Sequence, residues 1–210
     1  RGTDAAREAA DMVLKDDSFA SIVAAVKQGR VIFGNIRRSI MFMLCTNLAE
    51  ILAVAVATMA GAPLPLLPLH ILYLNVLTDV FPALALGVGP GDANVMSLPP
   101  RKNTASVLSS KHWTTVVIWS VVVAACVLAG LGIGLRGLKS PEETAITMSF
   151  MTLGLSKLWF VFNLRGVHSS ILSNNIVRNA WMWAAIALCL LLLLAAVYLP
   201  GLSDILRTTA

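Results

Sequence analysis

Five runs of about 20 apolar residues, at 39–61, 67–89, 114–135, 144–164 and 180–199, constrain this chain more than any other feature. Such a run crosses a bilayer as a helix, because every backbone N–H and C=O must find its partner within the segment. The composition agrees. Hydrophobic residues make up 57% of the 210 and charged residues 13%, where a soluble domain carries about a quarter. The chain is therefore expected to be an all-α polytopic membrane protein with about five transmembrane helices. No run is a cleavable signal peptide, since 38 residues of mixed polarity precede the first.

The basic residues orient the bundle. Of the 16 Lys and Arg, 12 lie before the first run or in the second-to-third and fourth-to-fifth loops. Only Arg136, Lys139 and Arg207 lie on the other side, and the loop 62–66 has none. The positive-inside rule then puts the N-terminus in the cytosol. The net charge of +5 is thus a topology signal, and no nucleic acid is expected as a partner. The lipid bilayer is. Cys45, Cys126 and Cys189 fall in three different runs, with neither metal-ligand spacing nor a disulfide framework. They read as small buried hydrophobes.

Residues 1–38 are soluble in character. Asp4 to Ala10 reads as a short helix, Met12-Val13-Leu14 as a brief strand, and Asp16-Asp17-Ser18 as a turn and N-cap before Phe19. Apolar residues then recur at helical spacing into the first run without a break, so 19–38 reads as a stalk helix. The piece before it is too short for a core of its own. With Arg1 at the start in place of methionine, the chain is expected to be part of a longer protein. Gly61 to Pro68 is a Pro-rich turn joining the first two runs, 39–199 the transmembrane unit and 200–210 a tail.

The second run contains Leu74-Asn75-Val76-Leu77-Thr78-Asp79-Val80-Phe81-Pro82-Ala83. An ionisable residue at that depth is costly and marks an ion or substrate pathway. Asn75, Thr78 and Asp79 are spaced i, i+3, i+4, so their oxygens share one helical face. Pro82 removes the amide that would bond the Thr78 carbonyl, so the helix is expected to be interrupted near 78–81. Side-chain oxygens beside freed backbone oxygen suit a hard cation. Thr78 has a second reading, a bond to its own helix backbone.

The first run carries Thr46-Asn47-Leu48-Ala49-Glu50, again with two oxygen-bearing side chains three residues apart. Asn-x-x-Glu, a Pro-rich hairpin, then Asn-x-x-Thr-Asp-x-x-Pro resembles the fifth and sixth membrane helices of calcium-transporting P-type ATPases of the sarcoplasmic-reticulum type. The flanks agree: 2–14 (GTDAAREAADMVL) resembles the end of that family's phosphorylation domain, making 1–18 its remnant. Residues 92–101 (DANVMSLPPR) resemble the loop after the sixth helix. The five spans would then be the fifth to ninth of the family's ten, with the N-terminal part of the pump as partner. The resemblance implies that Asn47, Glu50, Asn75, Thr78 and Asp79 help bind the transported cation, with calcium favoured and manganese possible on the same oxygen chemistry. Sodium or potassium pumps usually carry aspartate where Asn75 stands.

There are two departures. Lys157 aligns where two-ion calcium pumps carry a glutamate on the eighth helix. A lysine coordinates no cation, and its ammonium strongly repels one about 4 Å away in low dielectric. Lys157 either snorkels to the interface or serves as an internal counter-charge for Glu50 or Asp79. In the second case one ion per cycle is expected. The other departure is the absence of the phosphorylated Asp-Lys-Thr-Gly-Thr motif and of any nucleotide-binding region. ATP and magnesium would act only through cytosolic domains outside this chain, which alone should be inactive. The reading is the ion-translocating part of an ATP-driven pump in the cell membrane. The competing reading is a passive channel or scaffold made of the same helices.

Overall fold

The computed structural model describes residues 3–15, 18–91, 94–97, 99–100, 106–164 and 175–209. Asp16, Asp17 and, of the quoted stretch 92–101, residues 92, 93, 98 and 101 lie outside them. The described elements are helical throughout. They are α1 (Asp4–Glu8), α2 (Phe19–Met59), α3 (Pro68–Leu74), a π turn (Asn75–Asp79), α4 (Val80–Gly87), α5 (Ser110–Gly132) running into a second π turn (Ile133–Gly137), α6 (Glu142–Phe160) with a 3-10 turn (Val161–Leu164), α7 (Ala180–Tyr198) and α8 (Leu202–Leu206). Five continuous helical stretches are long and apolar enough to cross a membrane: Phe19–Met59, Pro68–Gly87, Ser110–Gly137, Glu142–Leu164 and Ala180–Tyr198. The protein is an all-α polytopic bundle.

Local sequence explains the ends. Thr3 caps α1 by accepting the Ala6 amide at 3.3 Å. The 41 residues of α2 contain no proline, so stalk and first span form one rod of about 60 Å. Ala60 ends it, and Gly61 turns the chain with φ +64°, a left-handed conformation that glycine adopts without a side-chain clash. Pro68 begins α3 at N1, where its missing amide costs nothing. Met12 to Leu14 form no strand, contrary to expectation. The described residues offer no second strand to pair with, and an isolated strand leaves its backbone groups unbonded.

The bundle is inside-out relative to a soluble protein. Ile51, Leu84, Trp159 and Leu191 point outward, whereas Thr46, Glu50, Asp79, Ser120, Ser149 and Lys157 are buried. In a bilayer this is the economical arrangement, because a polar group turned inward finds a partner and one turned to lipid does not. α2 packs against α5 and α4, α5 against α6, and α4 against α7. The buried stripe of α2 is Phe42, Cys45, Ala49 and Ala53, at helical spacing. Its small members let α5 approach closely enough for the Ser120 hydroxyl to donate to the Cys45 carbonyl at 3.0 Å. Gly154 on α6 does the same for α7 and α3: a Cβ there would lie 2.8 Å from Leu193 Cδ2 and 3.3 Å from Leu74 Cδ2.

Polar side chains tie off both ends of the second span. At its C-terminal end the Asn35 amide donates to the carbonyls of Gly87 (3.1 Å) and Gly89 (2.7 Å), and Asn179 donates to Ala85 at 2.8 Å. These are carbonyls that a helix end leaves without intrahelical partners. At the other end His70 is fully buried, accepts the Leu67 amide and donates through Nε2 to the Leu206 carbonyl at 2.7 Å. The last described residues fold back here, with the Thr209 amide on Thr147 Oγ1 at 3.0 Å and the Thr208 hydroxyl on the Ala196 carbonyl.

Candidate cation site

The second span is widened at its middle, where a broken helix was expected. Asn75 to Asp79 form a π turn, and α4 resumes at Val80 with Pro82 in its first turn. Pro82 has no amide to give to the preceding turn, yet the chain runs through it from the π turn into α4 with helical backbone angles. The wide turn thus accommodates Pro82 without leaving helical geometry. π turns of this kind recur at functional sites.

The widening presents Asn75 and Asp79 to the facing spans. Lys157, on α6, is 0% exposed, and Glu50 and Asp79 are 4% and 3% exposed. The Lys157 ammonium stands 2.9 Å from Asp79 Oδ1 and 3.1 Å from Asn75 Oδ1, both directed hydrogen bonds. It also stands 2.5 Å from Glu50 Oε1. This third contact is an ion pair off the line of a directed hydrogen bond. An ammonium carries three donors, and here three oxygens from two other spans surround it. Lys157 therefore points into the bundle and does not snorkel.

The remaining oxygens sort themselves around this centre. The Thr46 hydroxyl lies 3.4 Å from Asp79 Oδ2 while bonding the Phe42 and Met43 carbonyls of its own helix. Thr78 is buried, with its hydroxyl donating to the Leu74 carbonyl at 2.8 Å. That is the helix-backbone bond, so its hydrogen is already engaged and its lone pairs remain. Asn47 is half-buried, one position past Thr46, and takes no part in the lysine cluster. Sequence reasoning missed Thr46. The signal available was its position four residues before Glu50, on the same helical face.

Chemically, the cluster holds two carboxylates, one carboxamide oxygen and one ammonium. The oxygens are hard donors suited to a hard cation. The ammonium occupies the point where their directions converge. Among the described residues no group of three or more His, Cys, Asp and Glu side chains forms a metal centre, so the site is a mixed-charge cluster.

The multispan helical bundle, with an oxygen-rich charge cluster buried at a π turn, defines a polytopic membrane protein of the α-helical class. The profile of the family described as "Cation transporting ATPase, C-terminus" matches residues 63–210. This chain belongs to that family, as the C-terminal membrane portion of a P-type ATPase. It is 38% identical to the calcium-transporting ATPase of Bacillus subtilis (strain 168) over 212 residues, covering 100% of this chain and 23% of that protein. It is 35% identical over 211 residues to calcium-transporting ATPase 1 of Saccharomyces cerevisiae, covering 99% of this chain and 22% of the yeast protein. A P-type sodium-transporting ATPase4 of Toxoplasma gondii is 42% identical over 135 residues, 64% of this chain and 10% of its own. The chain thus spans under a quarter of the length of these relatives.

Proposed function

We propose that this chain is the ion-translocating membrane part of an ATP-driven cation pump, with calcium as the transported ion. The observation that carries the reading is the convergence of Glu50, Asn75 and Asp79 on one buried positive charge, Lys157 Nζ. A site that holds an ammonium through three oxygens is arranged for positive charge, and two carboxylates supply the field a divalent ion needs. Thr46, Thr78 and Asn47 line the adjoining turns of the first and second spans. ATP hydrolysis and its magnesium belong to cytosolic parts beyond this chain. The basic loops support a cytosolic N-terminus in the cell membrane.

Lys157 sets the stoichiometry in this reading. Its ammonium takes the space of a second cation and neutralises one carboxylate. Glu50 is then the counter-ion that stays with Lys157, and Asp79 with Asn75, which bond the ammonium in this structure, is released to one transported ion. Calcium is favoured by the relatives named for it, and sodium is the competing ion because one relative bears that name.

The test is Asp79→Asn in the complete pump. Calcium-activated phosphorylation by ATP should be lost, while phosphorylation by inorganic phosphate, which needs no bound transported ion, should survive. Wild-type calcium affinity in this variant would overturn the site. Activation of the wild type by sodium in place of calcium would overturn the choice of ion. A phosphorylated intermediate also separates the pump from a passive channel, which forms none.

A further inference from the structure

The widened turn is gripped from behind by the fifth span. Tyr73 and Leu77 are four positions apart and face α7. The Tyr73 hydroxyl donates to the Leu192 carbonyl at 2.7 Å, and the Cys189 thiol donates to the Leu77 carbonyl at 3.3 Å. Cys189 and Leu192 are themselves three positions apart on α7. Two hydrogen bonds of opposite sense therefore bracket the segment that begins the π turn.

The Leu77 carbonyl has a particular need for this partner. In π register its donor would be the amide of residue 82, and Pro82 has none. Leu77 is buried, and the Cys189 thiol supplies its carbonyl with a donor from a neighbouring span. It is two residues from Asp79.

We infer that Cys189 is a positioning residue for the cation site. Its thiol holds the Leu77 carbonyl against α7, and this fixes the π turn in the geometry that aims Asn75 and Asp79 at Lys157. Tyr73 is the second point of the clamp. A thiol is a soft ligand and a weak donor, so Cys189 acts through the backbone and touches no hard cation itself. The inference rests on the cation-site reading above.

The complete purified pump tests it in four variants: Cys189→Ala, Cys189→Ser, Tyr73→Phe and, as a control on the site, Asp79→Asn. Two quantities are read for each, the calcium concentration that half-saturates phosphorylation by ATP and the calcium-free phosphorylation by inorganic phosphate. Cys189→Ala and Tyr73→Phe should each raise half-saturation about fivefold, as expected for one buried hydrogen bond. Phosphorylation by phosphate should stay at the wild-type level per milligram, which a general folding defect would lower. Cys189→Ser keeps a donor and should remain within about twofold of wild type. Wild-type half-saturation in both the Ala and Phe variants, or a Ser variant as impaired as the Ala variant, overturns the inference. Should Cys189→Ala not accumulate, Tyr73→Phe decides, because it removes only a hydroxyl: a wild-type value there overturns the clamp. If Asp79→Asn itself keeps wild-type affinity, the cation-site reading has failed, which is a separate outcome.

Discussion

Lys157 Nζ lies 2.9 Å from Asp79 Oδ1, an ion pair buried between spans that are 78 positions apart in sequence. Neither charge is tolerable alone at that depth. Burying an isolated ion costs several kcal/mol even after relaxation, so each residue's presence explains the other's.

Removing the ammonium should therefore destabilise the cation-free protein. Lys157→Met keeps the bulk and leaves two carboxylates facing each other. Breaking a buried pair costs about 3–5 kcal/mol. Thermal unfolding in the presence and absence of calcium is the measurement. The variant should unfold at lower temperature without calcium and regain more from calcium than wild type does, because the bound ion stands in for the ammonium. Equal calcium effects in both proteins would refute this.

Replacing Lys157 by Glu should convert a positive charge into a further oxygen ligand. Equilibrium binding of radioactive calcium, counted per phosphorylation site, should give about one ion in wild type and about two in Lys157→Glu. Two ions already in wild type would mean that Lys157 moves out of the cluster when calcium enters.

Thr46→Val tests the residue that sequence reasoning overlooked. The change preserves shape and removes the hydroxyl 3.4 Å from Asp79 Oδ2. A long contact shared with two backbone carbonyls implies a modest effect, on the order of 1 kcal/mol or a fivefold rise in half-saturating calcium. Thr46→Ser should behave as wild type. Identical calcium dependence in Val and wild type would show that Asp79 needs only Lys157 to orient it.

Asn35→Asp should be worse than Asn35→Ala. The amide donates to the Gly87 and Gly89 carbonyls, and a carboxylate would present oxygen to oxygen at 2.7 Å. Alanine removes the donor and should cost about 1–3 kcal/mol, whereas aspartate adds repulsion to that loss. The ranking of thermal midpoints, wild type above Ala above Asp, checks the assignment of donor and acceptors.

Gly154→Ala tests close packing behind the site. The new methyl would meet the ends of Leu193 and Leu74, and both side chains must shift within a packed interior to admit it. Overpacking of this kind costs about 1–3 kcal/mol. Because Leu74 directly precedes the π turn, calcium affinity should fall together with the thermal midpoint. A lower midpoint with unchanged affinity would show that packing and site are uncoupled.

Protein class and family were legible in the order of residues alone. Runs of 20 apolar residues admit only helices in a bilayer, and the i, i+3, i+4 spacing of Asn75, Thr78 and Asp79 follows from helix geometry alone. Both are local properties, carried by consecutive residues. Pro82 announced a perturbation of the second span, but not its form: only the folded helix shows that a π turn absorbs the proline within helical geometry. Lys157 had two readings because a lysine stem reaches either the interface or the interior, depending on how α6 is rotated and how deeply it sits. Packing against α5, α7 and the second span fixes that rotation, with Gly154 permitting close approach of α7 and α3. The meeting of Lys157 with Glu50 and Asp79, and of Cys189 with Leu77, joins residues on different spans. No periodicity in one segment encodes such a pairing, since the energy that selects it arises only when the spans exclude lipid from between them.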